Sequence, residues 1–238
     1  MFTRRKIDYL IIGAQKSGTT SLHHYITAHL LVAPPRKKEV HFFDKHVKKG
    51  SRWYHRHFSW DKKELQGEAT PYYIFDKNCP SLVHNYHKDI KIIAILRDPV
   101  ERAFSHYRMN VERGDENLTF MEALQQEDLR ITKDAKAMRL YSYKKRGEYA
   151  SQLDVWYDQF RSEQILTLRY EDFFDTPWLQ VQSVYRFLGL PAYYGSQQNF
   201  FSNRNKDNSP LPEGAKKYLT HYFAGPNQKL KDQYNIEF

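Results

Sequence analysis

The stretch from Asp8 to Ser21 constrains this chain most. Tyr9, Leu10, Ile11 and Ile12 form an unbroken apolar run, which suits a central strand of a parallel sheet covered on both faces. The run stops at Gly13, and Gly13-Ala14-Gln15-Lys16-Ser17-Gly18-Thr19-Thr20-Ser21 follows. Behind it, Leu22, Tyr25, Ile26 and Leu30 recur at helical spacing. A strand, a small-residue turn and a helix start bring backbone N–H groups and the positive end of a helix dipole to one point, which makes an anion site. Gly18 lets the backbone approach a phosphate, and Ser17, Thr19, Thr20 and Ser21 offer hydroxyls. Gln15 stands at the head of the turn, and Lys16 adds a mobile ammonium. An ordinary loop with a surface lysine is the plainer alternative; the order of strand, turn and helix favours the anion site.

Gly13 and Gly18 have the spacing of the G-x-x-x-x-G-K-[ST] phosphate loop, but Thr19 stands where its lysine belongs and Lys16 lies inside the turn. The loop is a relative of that pattern and predicts phosphate binding without a nucleotide–metal complex. A nucleotide kinase is the competing enzyme reading, and it needs a magnesium-binding carboxylate at another strand end. Asp98 occupies such a place after a second apolar run, Lys91–Leu96. It is already explained as a helix N-cap, with Pro99 at the first helical position and Glu101 where a capping box would put it. Arg97 suits a bidentate grip on a phosphate, with the hydroxyl of Ser105 further along that helix. Taken singly, Arg97 reads as the partner of a surface carboxylate and Ser105 as helix filler. Beside a lysine loop they describe a second phosphate site along one crevice, at the carboxyl ends of neighbouring strands.

Further signals complete the architecture. Thr119 and Glu122 form a capping-box pair opening a helix to about Leu129, and Tyr149, Leu153, Trp156, Tyr157 and Phe160 mark an amphipathic helix. Ile165 to Leu168 is a third strand, a helix from Trp178 to Leu188 precedes Gly189 as its C′ residue, and a last helix starts near Glu213. Strands alternating with helices predict an α/β fold, a single P-loop-NTPase-like domain over 1–238 with a central, mostly parallel sheet flanked by helices. The charge is less decisive. With 37 basic and 28 acidic residues the chain is at +9, which suits nucleic acid, anionic lipid or an anionic small ligand alike. A basic nucleic-acid-binding domain would spread its aromatics over an exposed face, whereas Tyr149, Trp156 and Phe160 lie on a core stripe. One cysteine, Cys79, excludes an internal disulfide and a cysteine-based zinc site, and no H-E-x-x-H pattern appears among 11 histidines. No apolar run approaches the ~20 residues of a membrane span, so the expectation is a cytoplasmic protein with no metal.

Gln15 to Leu22 and Leu96-Arg97-Asp98-Pro99-Val100-Glu101-Arg102-Ala103-Phe104-Ser105 resemble the two cofactor-binding segments of sulfotransferases that use 3′-phosphoadenosine 5′-phosphosulfate (PAPS). Between them, Lys38-Glu39-Val40-His41-Phe42-Phe43-Asp44 is similar to the catalytic segment of the heparan sulfate branch, especially the 3-O-sulfotransferases. The likeness extends through Trp53-Tyr54, Glu68-Ala69-Thr70-Pro71-Tyr72, Arg146 to Ala150 and Phe187 to Leu190, covering nearly the whole chain.

The resemblance implies a sulfotransferase fold and transfer of a sulfuryl group from PAPS to a hydroxyl or amine of a carbohydrate or small molecule, leaving PAP, the desulfated cofactor. It places the 5′-phosphosulfate on the loop from Gln15 to Ser21 and the 3′-phosphate at Arg97 and Ser105, with Lys206 also facing it. Lys16 stabilises the leaving phosphate, and Glu39 is the general base. By spacing alone, Glu39 beside Lys37 and Lys38 reads as a solvated glutamate. His41 and Asp44 are expected to position Glu39 or the acceptor, a buried structural histidine being the equal alternative for His41, and Thr70 and Tyr72 are expected to line the acceptor site. Two departures stand out. The glycan-modifying enzymes usually carry a lysine where this chain has Ala69, and the segment 205–210 lacks the glycines of the family's third cofactor segment.

Overall fold

The computed structural model describes residues 6–60, 64–193 and 209–238; Lys206 lies outside them. Along the chain run β1 (Tyr9–Gly13), α1 (Thr19–Thr27), β2 (Val32–Ala33), α2 (Gly50–His55), β3 (Leu65–Ala69), α3 (Cys79–Tyr86), β4 (Lys91–Leu96), α4 (Pro99–Glu112), α5 (Phe120–Ile131), α6 (Ala135–Tyr141), α7 (Tyr149–Tyr157), β5 (Ile165–Arg169), α8 (Tyr170–Asp175), α9 (Pro177–Leu188) and α10 (Glu213–Tyr234). The packing groups these elements into two compact units. One takes the chain up to Leu96 and from Leu153 through α9; the other takes Arg97–Gln152 and α10.

The first unit is built on a five-stranded sheet in the order β2-β3-β1-β4-β5, every pairing parallel. The apolar runs occupy its centre: all five residues of β1 are buried, as are Ile92 to Leu96 of β4. Against one face, Tyr9, Ile11, Ile93 and Ile95 meet Leu22, Tyr25 and Ile26 of α1, Phe173 of α8, and Val181, Val184 and Tyr185 of α9. The helix α1 is shorter than its apolar spacing suggests. It ends at Thr27, and Leu30 beyond it is 72% exposed rather than on the buried stripe. At the end of α9, Gly189 takes the left-handed conformation (φ 77°) expected of a C′ glycine. The short β2 and β3 had no apolar signature, yet Gln66, Gly67 and Glu68 of β3 are fully buried beside β1.

The second unit is helical. Val100, Ala103 and Phe104 of α4 pack with Phe120, Ala123 and Leu124 of α5 and with Leu219 and Phe223 of α10. Asp98 caps α4 as expected, its Oδ1 accepting from Val100 N at 2.8 Å and Glu101 N at 3.0 Å. Glu101 turns to Arg97 instead of completing a box, with its Oε2 3.4 Å from Nη2. The Thr119–Glu122 capping box of α5 is present. Polar groups reach deep inside: Glu127 accepts from the backbone N–H of Lys144 at 2.6 Å and of Lys145 at 2.9 Å, and Arg102 donates to the carbonyl of Tyr143.

Gly67 shows how tightly the sheet is fitted. It stands opposite Tyr9, and a Cβ there would lie 2.5 Å from the buried Tyr9 ring. Gly67→Ala should therefore lower stability to urea by about 1–3 kcal/mol, the usual cost of overpacking a core. An unchanged unfolding midpoint would show that the Tyr9 ring moves aside freely.

Candidate active site

Parallel pairing puts the carboxyl ends of β1, β3 and β4 side by side, and the first unit's candidate residues gather there. After β1 the chain turns sharply: Ala14 N donates to Ile95 O at 2.7 Å, while Lys16 (φ 70°) and Gly18 (φ 85°) are left-handed. Gly13 allows a close approach, since a Cβ there would lie 2.3 Å from Ile74 Cγ2. Gly18 is the N-cap of α1 and brings no side chain to its first N–H groups. Beside them Ser17 is fully buried, and its Oγ has no hydrogen-bond partner among the described residues. Thr19 and Ser21 are buried, and Gln15, Lys16 and Thr20 are half-buried.

The segment 38–44 runs alongside. Ala69 N, at the end of β3, donates to Lys38 O at 3.2 Å. The Lys38 ammonium donates to Thr20 Oγ1 at 2.9 Å and lies 3.3 Å from Glu39 Oε1. On the far side of Glu39, Oε2 is 3.4 Å from His41 Nε2, and His41 Nδ1 is 2.9 Å from Asp44 Oδ2. With a carboxylate at each nitrogen, the doubly protonated ring satisfies both. Burial opposes charge on His41, but its bonds to Asp44 and Glu39 outweigh that and raise its pKa above the ordinary value. Burial also works to raise Glu39, yet the bond to His41 and the Lys38 charge hold its pKa below the ordinary value. Glu39 is thus an ionised carboxylate between the Lys38 ammonium and a histidine ring whose charged form is favoured.

Beneath this segment lies a carboxylate that the sequence does not flag. Glu68 is fully buried; its Oε2 accepts from Val40 N at 3.2 Å and Thr70 Oγ1 at 2.6 Å, and its Oε1 from Tyr73 OH at 2.8 Å and Tyr54 OH at 3.0 Å. Phe42 N donates to Tyr73 OH at 2.8 Å and His41 N to Thr70 Oγ1 at 3.3 Å. Of the expected acceptor residues, Thr70 is buried in this network, Asp44 is committed to His41, and Tyr72 is half-buried with its ring edge-on to Phe75. Two tyrosines and a glutamate scattered in sequence carry no local signal; only the fold brings them together.

In the second unit, Arg97 follows directly on Leu96. Its carbonyl accepts from Tyr149 OH at 2.9 Å and its guanidinium reaches Glu101, while Ser105 is half-buried on α4. Among the described residues, no group of three His, Cys, Asp or Glu side chains is arranged to hold a metal ion, and no helix is long and apolar enough to cross a membrane.

A family model described as a sulfotransferase domain matches residues 6–210. The chain belongs to the sulfotransferase domain family. It classes with the PAPS-dependent sulfotransferase enzymes by domain and by structure. The crystal structure of a sulfotransferase from Alicyclobacillus acidocaldarius matches with a TM-score of 0.83 at 27% identity, over 99% of this chain and 98% of that one. Membrane-associated sulfotransferase kil1 of Dictyostelium discoideum is 26% identical over 97% of this chain and 66% of its own length. Human heparan sulfate glucosamine 3-O-sulfotransferase 3B1 is 30% identical over 83% of this chain and 49% of its own length. The chain thus spans between about half and two thirds of these curated relatives, and its likeness to the heparan sulfate branch is distant.

The loop after β1 fits the phosphosulfate end of the sulfotransferase cofactor. An anion there would meet the start of α1 and give the buried Ser17 hydroxyl an acceptor.

The His41–Asp44 pair has a testable signature. Asp44→Asn should bring the His41 titration, followed by NMR of the ring protons, down toward the ordinary histidine value. A raised histidine pKa stabilises the fold below the unfolded value and loses that effect as pH rises through the folded value. The stability gap between wild type and Asp44→Asn should therefore be widest at about pH 5–6.5 and shrink above it. An unmoved His41 titration would show that Asp44 does not hold the ring.

Proposed function

We propose that this sulfotransferase, read as a single sulfotransferase domain over 1–238, transfers the sulfuryl group of PAPS to a hydroxyl or amine of a carbohydrate or small natural product. The observation that carries the reading is the ionised Glu39, held between Lys38 and His41 beside the loop after β1. In this reading the loop works as a relative of the phosphate loops of nucleotide-binding proteins. Gln15 to Ser21 hold the 5′-phosphosulfate, and Arg97 and Ser105 take the 3′-phosphate. His41, Asp44, Thr70 and Tyr72 shape the acceptor side; Lys206, expected at the 3′-phosphate from the resemblance, lies outside the described residues.

When bound, PAPS supplies a sulfuryl group on a phosphate leaving group. Glu39 takes the proton of the acceptor hydroxyl as its oxygen forms the bond to sulfur. The sulfur–oxygen bond to phosphate breaks, and Lys16 places positive charge by the oxygen that gains the electrons. His41 keeps Glu39 oriented and, through Asp44, keeps its own ring charged.

Radiolabelled PAPS offered to hydroxyl-bearing acceptors tests the reading. Glu39→Gln keeps the shape but cannot take the proton, so turnover should fall by roughly 10²–10⁴-fold while PAP affinity hardly moves. Near-normal turnover on an aliphatic alcohol would remove Glu39 from the role of base.

Arg97 is tested separately, by calorimetry. Wild type should bind PAP more tightly than 5′-AMP, and Arg97→Ala should lose most of that preference, a difference of about 1.5–3 kcal/mol per charge-assisted bond. Equal affinity of the wild type for the two nucleotides would overturn the 3′-phosphate assignment.

A further inference from the structure

Lys38 lies at a junction that the mechanism above does not use. Its ammonium donates to Thr20 Oγ1 at 2.9 Å, in the first turn of α1, and sits 3.3 Å from Glu39 Oε1. One cation therefore touches both the loop that faces the cofactor phosphates and the carboxylate that receives the proton. Its backbone is fixed as well, because Lys38 O accepts from Ala69 N at 3.2 Å and, two residues on, the Val40 N–H donates to the buried Glu68. The lysine side chain is only 25% exposed, so it is not the freely solvated partner of a surface pair.

We propose that Lys38 is a positioning residue for sulfuryl transfer: anchored on Thr20, it holds Glu39 in place and ionised, and so ties the state of the base to the phosphate loop. Thr20 carries no charge to compete for the ammonium, so Glu39 receives most of its electrostatic effect. An anion on the loop changes that division, because a phosphate competes with Glu39 for the same ammonium. The base is then ionised and oriented when the loop is empty, and gains proton affinity when the loop is filled.

The charged and titratable neighbours are accounted for on each side. From α1, His23 faces Lys38, and burial followed by the Lys38 charge holds its pKa down at about 4, so it is neutral at working pH and leaves the ammonium to Thr20 and Glu39. From its own segment Glu39 meets His41, which is in turn acted on by Asp44 and Lys45. From β3, Glu68 lies on the far side of Val40, committed to its donors. Lys38 is the ammonium on Glu39, and His41 answers it from the other side.

The inference rests on Glu39 being the base, and its primary readout does not depend on turnover. In protein labelled with ¹³C at glutamate side chains, the Glu39 carboxyl, assigned by its loss in Glu39→Gln, is titrated without cofactor. In Lys38→Met, which keeps the aliphatic stem, Glu39 should titrate at higher pH than in wild type, and Lys38→Arg should restore the wild-type curve. Saturating PAP should raise the Glu39 titration in wild type, and raise it less in Lys38→Met. In turnover, the acidic limb of the pH–rate profile should move the same way, so that at the pH of half-maximal wild-type rate Lys38→Met falls about fivefold further below its own plateau. A Glu39 titration identical in wild type and Lys38→Met overturns the proposal, as does an equal response to PAP in both. If Lys38→Met does not fold, Lys38→Gln serves in its place, with folding judged by thermal melting. Full turnover by Glu39→Gln would instead sink the base, a different failure from an unmoved Glu39 titration.

Discussion

Burying a carboxylate costs several kcal/mol unless hydrogen-bond donors surround it, and Glu68 has no exposed surface at all. The site is organised around meeting that demand. Four donors converge on its two oxygens, and one of them is the backbone N–H of Val40, between Glu39 and His41. Of the two tyrosines that serve Glu68, Tyr73 also accepts from Phe42 N, and the threonine that serves it accepts from His41 N. Burial pushes the Glu68 pKa up, and its hydrogen bonds work against that push. A segment that looks like an irregular loop is thus held from below by a strand of the central sheet, through groups that have few other ways to be satisfied.

On this base, the upper side of the segment carries opposing charges in a row: Lys38, Glu39, His41 and Asp44. The alternation keeps Glu39 ionised, which a proton acceptor needs, but it also weakens the carboxylate as a base. A base flanked by two cations gains strength only when one is drawn elsewhere. The same row explains why the charged form of half-buried His41 is favoured, since each ring nitrogen has a carboxylate to meet.

Much of the sheet was legible because its central strands are apolar on both faces. Tyr9 to Ile12 and Ile92 to Leu96 can be read by eye; so can the edge strand Ile165 to Leu168, from its apolar residues, and the Asp98 and Thr119 caps, whose signals lie within a few residues of each other. β3 was not legible, because Leu-Gln-Gly-Glu-Ala has neither an apolar run nor a clear alternation; its burial depends on partners at Val40, Tyr54 and Tyr73, outside the strand itself. Leu30 misled for a related reason: the apolar spacing continues past the point where α1 stops at Thr27. In the site, the turn after β1 declared its place between strand and helix through order and composition. Glu39 did not, since a glutamate next to lysines has the same sequence whether it is solvated or clamped. Only the Thr20 bond to Lys38 and the His41 ring on the other side distinguish the two cases.

The grip on the segment 40–42 is made through backbone N–H groups, and amides are the same whatever side chains they bear. Evolution can therefore rewrite the side chains at 39 and 41 without giving up the scaffold that presents them. A carboxylate fixed deep in the sheet makes the strip above it a socket into which different acid–base pairs can be fitted.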